Sequence, residues 1–346
     1  MEDITKHEQL ENCIFVKTVL MLMVVAYHSM IFWGGDWFSF QPVAIESKFL
    51  KNIAFWLNSF HIYGFVFVAG YLFEYLKQEK NRYQEFRPFI VNKSKRLLIP
   101  YVFVAFAWVI PSTYVLDKFT PKEMFMKYIL CTSPSQLWFL WMLFDVFIIV
   151  WWIYKWIKND MVAIIISIIS WGIGLFGGIF FENIFCIWTA FSYIPYFILG
   201  MKIREKRNCF LCKIPKQCFI IIQVVLFSVW QITALKEEII FKLLSLVCEY
   251  STHILGAFMA FYVLQWLAEK VNWKNNRIFT ILSKYSMTIY LFHQQVIYYT
   301  ISWFNGKINP YFNAFVNFIV ALMGAFLISS VLMKFKWTRI LIGEKK

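Results

Sequence analysis

Long apolar runs, separated by short polar and mostly basic breaks, organise this chain from Cys13 to Met333. A hydrocarbon layer about 30 Å thick takes roughly 20 helical residues to cross. On that scale the runs predict ten transmembrane helices, over 13–33, 54–76, 97–116, 137–157, 161–181, 184–201, 218–235, 239–267, 286–304 and 311–333. The stretch 121–130, Pro-Lys-Glu-Met-Phe-Met-Lys-Tyr-Ile-Leu, is too short to span and reads as an amphipathic helix on the surface. The fold class this predicts is all-α, a polytopic membrane helical bundle. With no sequence repeat, linker or shift in composition, residues 1–346 are expected to form one domain. The acidic, polar first dozen residues and the length of the first apolar run argue against a cleaved signal peptide.

Composition agrees with the pattern. The chain is 60% hydrophobic and only 16% charged, where soluble domains carry about 25% charge. The net charge of +14 raises nucleic acid as a partner, but the cations lie in short breaks between apolar runs. That distribution points to the lipid bilayer and not to nucleic acid. Lys6, the breaks 77–96, 155–158, 202–216 and 268–285, and the tail after 333 together hold 25 Lys and Arg, and the alternate breaks hold eight. The positive-inside bias therefore predicts a multi-pass protein of the cell membrane with both termini in the cytoplasm. Seven cysteines are scattered along the chain. Cys209-Phe-Leu-Cys212, with Cys218 nearby, is half of a zinc site at most, since a structural site needs four ligands. Free thiols and no bound metal are expected.

What changes the picture is polar chemistry inside the apolar runs. His28, His61, His253 and His293 all lie there, and an ionisable group in hydrocarbon is costly enough to suggest function. Lys17 and His28 are separated by ten uncharged residues. Eleven helical steps make about three turns, so both side chains share one face, roughly 16 Å apart along the axis. Glu249 and His253, four residues apart, also share a face and are placed to hydrogen-bond. Asp145 lies mid-span, while Lys17 and Glu74 sit near span ends where long side chains reach toward headgroups. For each buried histidine a plain interhelical hydrogen bond is the structural alternative.

Five stretches, taken in order, resemble the integral membrane acyltransferase family 3. They are Lys17-x10-His28; Phe60-His-Ile-Tyr-Gly-Phe-Val-Phe-Val-Ala-Gly-Tyr-Leu72; Lys93-Ser-Lys-Arg96-Leu-Leu-Ile-Pro100-Tyr101; Leu137-Trp138-Phe139-Leu140; and Ser286-Met-Thr-Ile-Tyr290-Leu291-Phe-His293. They cover residues 13 to about 295. Lys17 and Lys93 stand where that family usually has arginine, and Ala69 where it often has serine; lysine keeps the charge but loses the bidentate fork.

The resemblance implies a membrane-only O-acyltransferase acting on surface polysaccharide or another envelope molecule, with acetyl-CoA as donor. It points to His28 as general base or as the group that relays the acyl unit, with Lys17 on the same stripe and His293 and Glu249 as candidates to orient it. Lys93, Arg96 and Lys17 become candidates for the donor's phosphates, and His61, Tyr290, Trp138 and His253 for the substrate pocket. The acceptor expected is a glycan or lipid-linked sugar; its identity and the oligomeric state are not legible. No Walker loop or dinucleotide glycine fingerprint appears. A transporter or flippase of envelope precursors is the main alternative, since buried ionisable groups also suit proton coupling; a paired set of broken helices would favour it. The other polytopic class of O-acyltransferase, also built around a buried histidine, is a second alternative.

Overall fold

The computed structural model describes residues 2–35, 37–38, 40–206 and 215–344, with side chains from Leu10 onward. The molecule is 82% helical, with no strand among the described residues. In chain order the helices are α1 (Glu2–Met30), α2 (Lys48–Asn58), α3 (His61–Gln78), α4 (Phe86–Val104), α5 (Ile110–Leu116), α6 (Pro121–Met124), α7 (Trp138–Ile153), α8 (Asp160–Phe180), α9 (Ile187–Glu205), α10 (Lys216–Thr233), α11 (Ile239–Lys270), α12 (Arg277–Lys284), α13 (Ser286–Phe304), α14 (Pro310–Leu332) and α15 (Lys336–Leu341).

Nine helical segments among the described residues are long and apolar enough to cross a bilayer. The tenth expected span coincides with α13, which is 19 residues long, about 28 Å. It falls short in hydropathy because it carries Thr288, His293, Gln294, Gln295 and Thr300, all buried within the bundle. Asn317 near the start of α14 donates to the Ser29 carbonyl near the end of α1 at 3.3 Å. The first and last spans are therefore antiparallel, and both chain ends lie on one face.

Several boundaries differ from those expected. The second span, 54–76, is two helices, α2 and α3, that meet at Ser59–Phe60. Gln223 of α10 holds the break, donating to Ser59 Oγ at 2.8 Å and accepting from Trp56 Nε1 at 2.8 Å. Polar partners of this kind make an interrupted helix tolerable in a membrane. The third span, 97–116, begins earlier, at Phe86, so Lys93, Lys95 and Arg96 stand on a helix and not in a loop. Phe89 and Lys93 are buried there, which anchors the extra turns. Its π-helical turn, Ala105–Val109, precedes Pro111, whose ring would strike the carbonyl of Ala107 in an unbroken α-helix. The short segment at 121–130 is helical as expected, a turn of α6 continued by a π-helical turn. Thr120 and Glu123 cap it reciprocally, Glu123 N donating to Thr120 Oγ1 at 3.2 Å and Thr120 N to Glu123 Oε2 at 2.7 Å. Helix α12 falls in a break where none was predicted. Cys209 and Cys212 lie outside the described residues.

Helices α3 and α9 approach most closely. A Cβ at Gly70 would stand 2.0 Å from the Phe197 carbonyl oxygen, and one at Gly200 would stand 2.0 Å from that of Phe67. Small residues at such crossings let backbones touch, which is how helices associate where lipid removes the hydrophobic drive. Arg204 locks the same pair: buried, it donates to Glu79 at 2.7 and 3.0 Å and to Tyr71 Oη at 2.9 Å.

Candidate active site

Helices α1, α3 and α13 bring three of the four intramembrane histidines together. His28 Nδ1 and His293 Nε2 are 2.8 Å apart. The proton positions follow from the remaining partners. His293 Nδ1 faces two carbonyl oxygens, Tyr290 at 2.8 Å and Ile289 at 3.2 Å. Carbonyls only accept, so His293 Nδ1 carries its proton, and in the neutral ring Nε2 is an acceptor. His28 Nδ1 must then be the donor across the 2.8 Å contact. The Nε2 lone pair of His28 is left as its basic position. His61 Nδ1 likewise donates to the Leu57 carbonyl at 2.6 Å. Tyr27 lies between, its ring 4.9 Å from His28 and 5.1 Å from His61.

The face opposite the chain ends is covered by the loop after α1. Trp37 packs 5.5 Å from His28 and 5.0 Å from Tyr298. Asn305 ties the loop down, donating to the Pro42 carbonyl at 2.8 Å and accepting from Ala44 N at 3.1 Å. His28 nevertheless keeps partial exposure, as does Lys17, while Leu20, Met21, Val24 and Val25 between them are buried.

Beside the imidazoles lies an amide shelf. Gln136 donates to the Leu291 carbonyl at 2.8 Å and exchanges hydrogen bonds with Gln295 at 2.8 and 3.1 Å. Gln294 donates to Ser135 Oγ at 3.0 Å and to Tyr298 Oη. The Tyr290 hydroxyl donates to the Gln136 carbonyl. This shelf fixes the rotation of α13, and hence the direction of His293. Sequence reasoning misses Trp37, Ser135 and the three glutamines; the signal available is the Gln294-Gln295 pair directly after His293.

Not every candidate joins the site. His253 stacks on Tyr63 at 4.1 Å, its Nδ1 has no hydrogen-bond partner, and the expected hydrogen bond to Glu249 is absent among the described residues. Glu249 lies within electrostatic reach of Tyr63 and Tyr196, whereas the titratable neighbours of His28 are His293 and His61. Trp138 extends the aromatic wall of Tyr63 and Tyr193. Tyr290 packs 5.9 Å from His293. Glu74 pairs with Lys158 at 2.7 Å. Asp145, half-buried on α7, has an unpartnered Oδ2.

Some of the described cations are ion-paired and others are not. Lys158, Lys202, Arg204, Lys206 and Lys274 are each ion-paired on the face with the chain ends. Lys17 and Arg96, within electrostatic reach of each other, form no ion pair among the described residues. Glu344 of the tail is the acid within electrostatic reach of Arg96. Lys93 differs from both. It is buried with its ammonium 3.4 Å from the centre of the Phe147 ring and 4.9 Å from that of Tyr83. A cation so enclosed is held by ring faces, while Arg96 is exposed.

No metal-competent group of three or more His, Cys, Asp or Glu occurs among the described residues. A family model described as an acyltransferase domain matches residues 13–334. No curated protein and no solved structure matches the chain.

Proposed function

The chain belongs to acyltransferase family 3, and from that premise we propose that it moves an acetyl or similar short acyl group from cytoplasmic acyl-CoA to a hydroxyl of a surface polysaccharide or other envelope glycan. In this reading the chain ends face the cytoplasm of the cell that carries it in its membrane. The observation that carries the reading is the His28–His293 hydrogen bond with the His28 Nε2 lone pair left available.

A sugar hydroxyl is a poor nucleophile at neutral pH, and a positioned imidazole removes its proton as the new bond forms. His28 Nε2 takes that proton while the hydroxyl oxygen attacks the thioester carbonyl. The imidazolium so formed keeps its Nδ1–H on His293 Nε2, a charge-assisted hydrogen bond stronger than the neutral one. Collapse of the tetrahedral intermediate breaks the carbon–sulfur bond. The proton on His28 passes to the departing CoA sulfur, and the base is regenerated. Lys17 and Arg96, which form no ion pair among the described residues, attract the nucleotide end of the donor. Lys93 supports this electrostatically from inside its aromatic cage.

His28→Ala is expected to lower acylation by at least about 100-fold, the usual share of a general base, with membrane insertion and protein level unchanged. NMR of purified surface polysaccharide from the two strains measures it through the O-acetyl signals. Undiminished acetylation would remove His28 from the mechanism.

A further inference from the structure

Two cysteines outside this site face each other across the loops opposite the chain ends. Cys131 follows the surface segment at 121–130, and Cys186 precedes α9. A backbone hydrogen bond, Phe185 N to the Leu130 carbonyl at 2.7 Å, docks the two loops one residue before each cysteine. The Cys186 thiol donates to the carbonyl oxygen of Cys131 itself at 3.2 Å. The Cys131 thiol lies 3.0 Å from Tyr101 Oη, whose own proton goes to the Tyr128 carbonyl at 2.7 Å. Both cysteines are buried, 0% and 1% exposed. Both also adopt left-handed backbone, each with φ of 56°, a conformation that non-glycine residues keep only when their surroundings over-determine it. Asn183 fixes the second loop, accepting from Trp188 N at 3.0 Å and donating to Thr189 Oγ1 at 2.7 Å.

The geometry points to a disulfide between Cys131 and Cys186 that ties the 121–131 segment to the start of α9 on the extracytoplasmic side. The assignment rests on the orientation proposed above, because disulfides persist in oxidising compartments and are rare in the cytosol. The oxidant is an external disulfide of the thiol-oxidase or small-molecule class. One cysteine thiolate attacks it to give a mixed disulfide and releases one thiol. The second cysteine then displaces the other, so two S–H bonds are lost, one S–S bond forms and the oxidant leaves as two thiols. Burial pushes the Cys131 thiol up to about 11, which leaves little thiolate in the finished bundle. The bond therefore forms as the loops dock during folding and is shielded from reductant afterwards. Cys248, buried among membrane helices, has no such neighbour among the described residues.

The test uses the full chain in native membranes, acid-quenched and alkylated with N-ethylmaleimide under denaturing conditions, first without and then with reductant. Mass spectrometry is expected to recover the Cys131 and Cys186 peptides as one cross-linked species that separates on reduction, with Cys248 alkylated throughout. In Cys131→Ser, Cys186 should become alkylated without reductant. In parallel, Lys307→Cys, at an exposed turn of the same face, is labelled in intact cells with a membrane-impermeant maleimide. Labelled Lys307→Cys together with freely alkylated Cys131 and Cys186 overturns the disulfide and leaves the orientation standing. Unlabelled Lys307→Cys with free thiols overturns both.

Discussion

One proton decides the chemistry of His28. Two carbonyls fix the Nδ1 proton of His293, which makes its other nitrogen an acceptor and so fixes the tautomer of His28. This gives a prediction that separates an orienting role from mere packing. His293→Ala, which removes the acceptor, should lower turnover about tenfold or more, as expected for a hydrogen bond to a group that becomes charged. His293→Gln keeps an acceptor oxygen within reach and should retain more activity than the alanine variant at similar protein level. A radiometric acyl-transfer assay on membranes decides it, and equal losses would assign His293 to packing. The sequence makes both histidines visible, since imidazoles in apolar runs stand out. Their 2.8 Å contact is not legible there, because residues 265 apart meet only through the packing of α13 on α1. The Glu249–His253 pair shows the opposite failure. Four-residue spacing puts two side chains on one face, but Tyr63 offers His253 a ring to stack on, and that contact prevails.

At the level of helices, glycines set how closely the bundle closes. The Gly70 and Gly200 positions each abut a carbonyl oxygen of the facing helix, and carbonyls cannot rotate aside as a side chain can. Gly200→Ala should therefore force α3 and α9 apart at a cost of about 1–3 kcal/mol, read as a lower melting temperature of the detergent-solubilised protein. An unchanged melting temperature would mean that the crossing is looser than the backbone distances indicate. The spanning helices were legible from apolar length alone, though α12 and α15 were not, and the ends of α8, α11, α13 and α14 fall within three residues of those predicted. The breaks were not. The gap between α2 and α3 depends on Gln223 from a distant helix, and the early start of α4 depends on Lys93 finding aromatic rings, so neither is encoded locally.

Across the whole molecule, charge is sorted by partner. On the basic face Lys158, Lys202, Arg204, Lys206 and Lys274 are held in ion pairs, whereas Lys17 and Arg96, the two nearest the proposed donor path, form none among the described residues. Arg96→Ala should raise the KM for acyl-CoA about fivefold, the scale of an exposed ionic contact, with the KM for acceptor unchanged. Lys93→Met, which keeps a long chain inside the cage, should shift the donor KM less. An equal rise in both constants for Arg96→Ala would argue against a donor site there. Helix α13 carries a last consequence, for biogenesis. Its buried glutamines, threonines and histidine hold it below the hydropathy of the nine other spans, so alone it partitions poorly from the translocon into lipid. It is expected to enter as the hairpin partner of α14, whose mean hydropathy is 2.3, once earlier helices offer hydrogen-bonding partners. A chain released before α14 is made would thus leave the second imidazole outside the bilayer, and half-built copies would be inert toward the thioester.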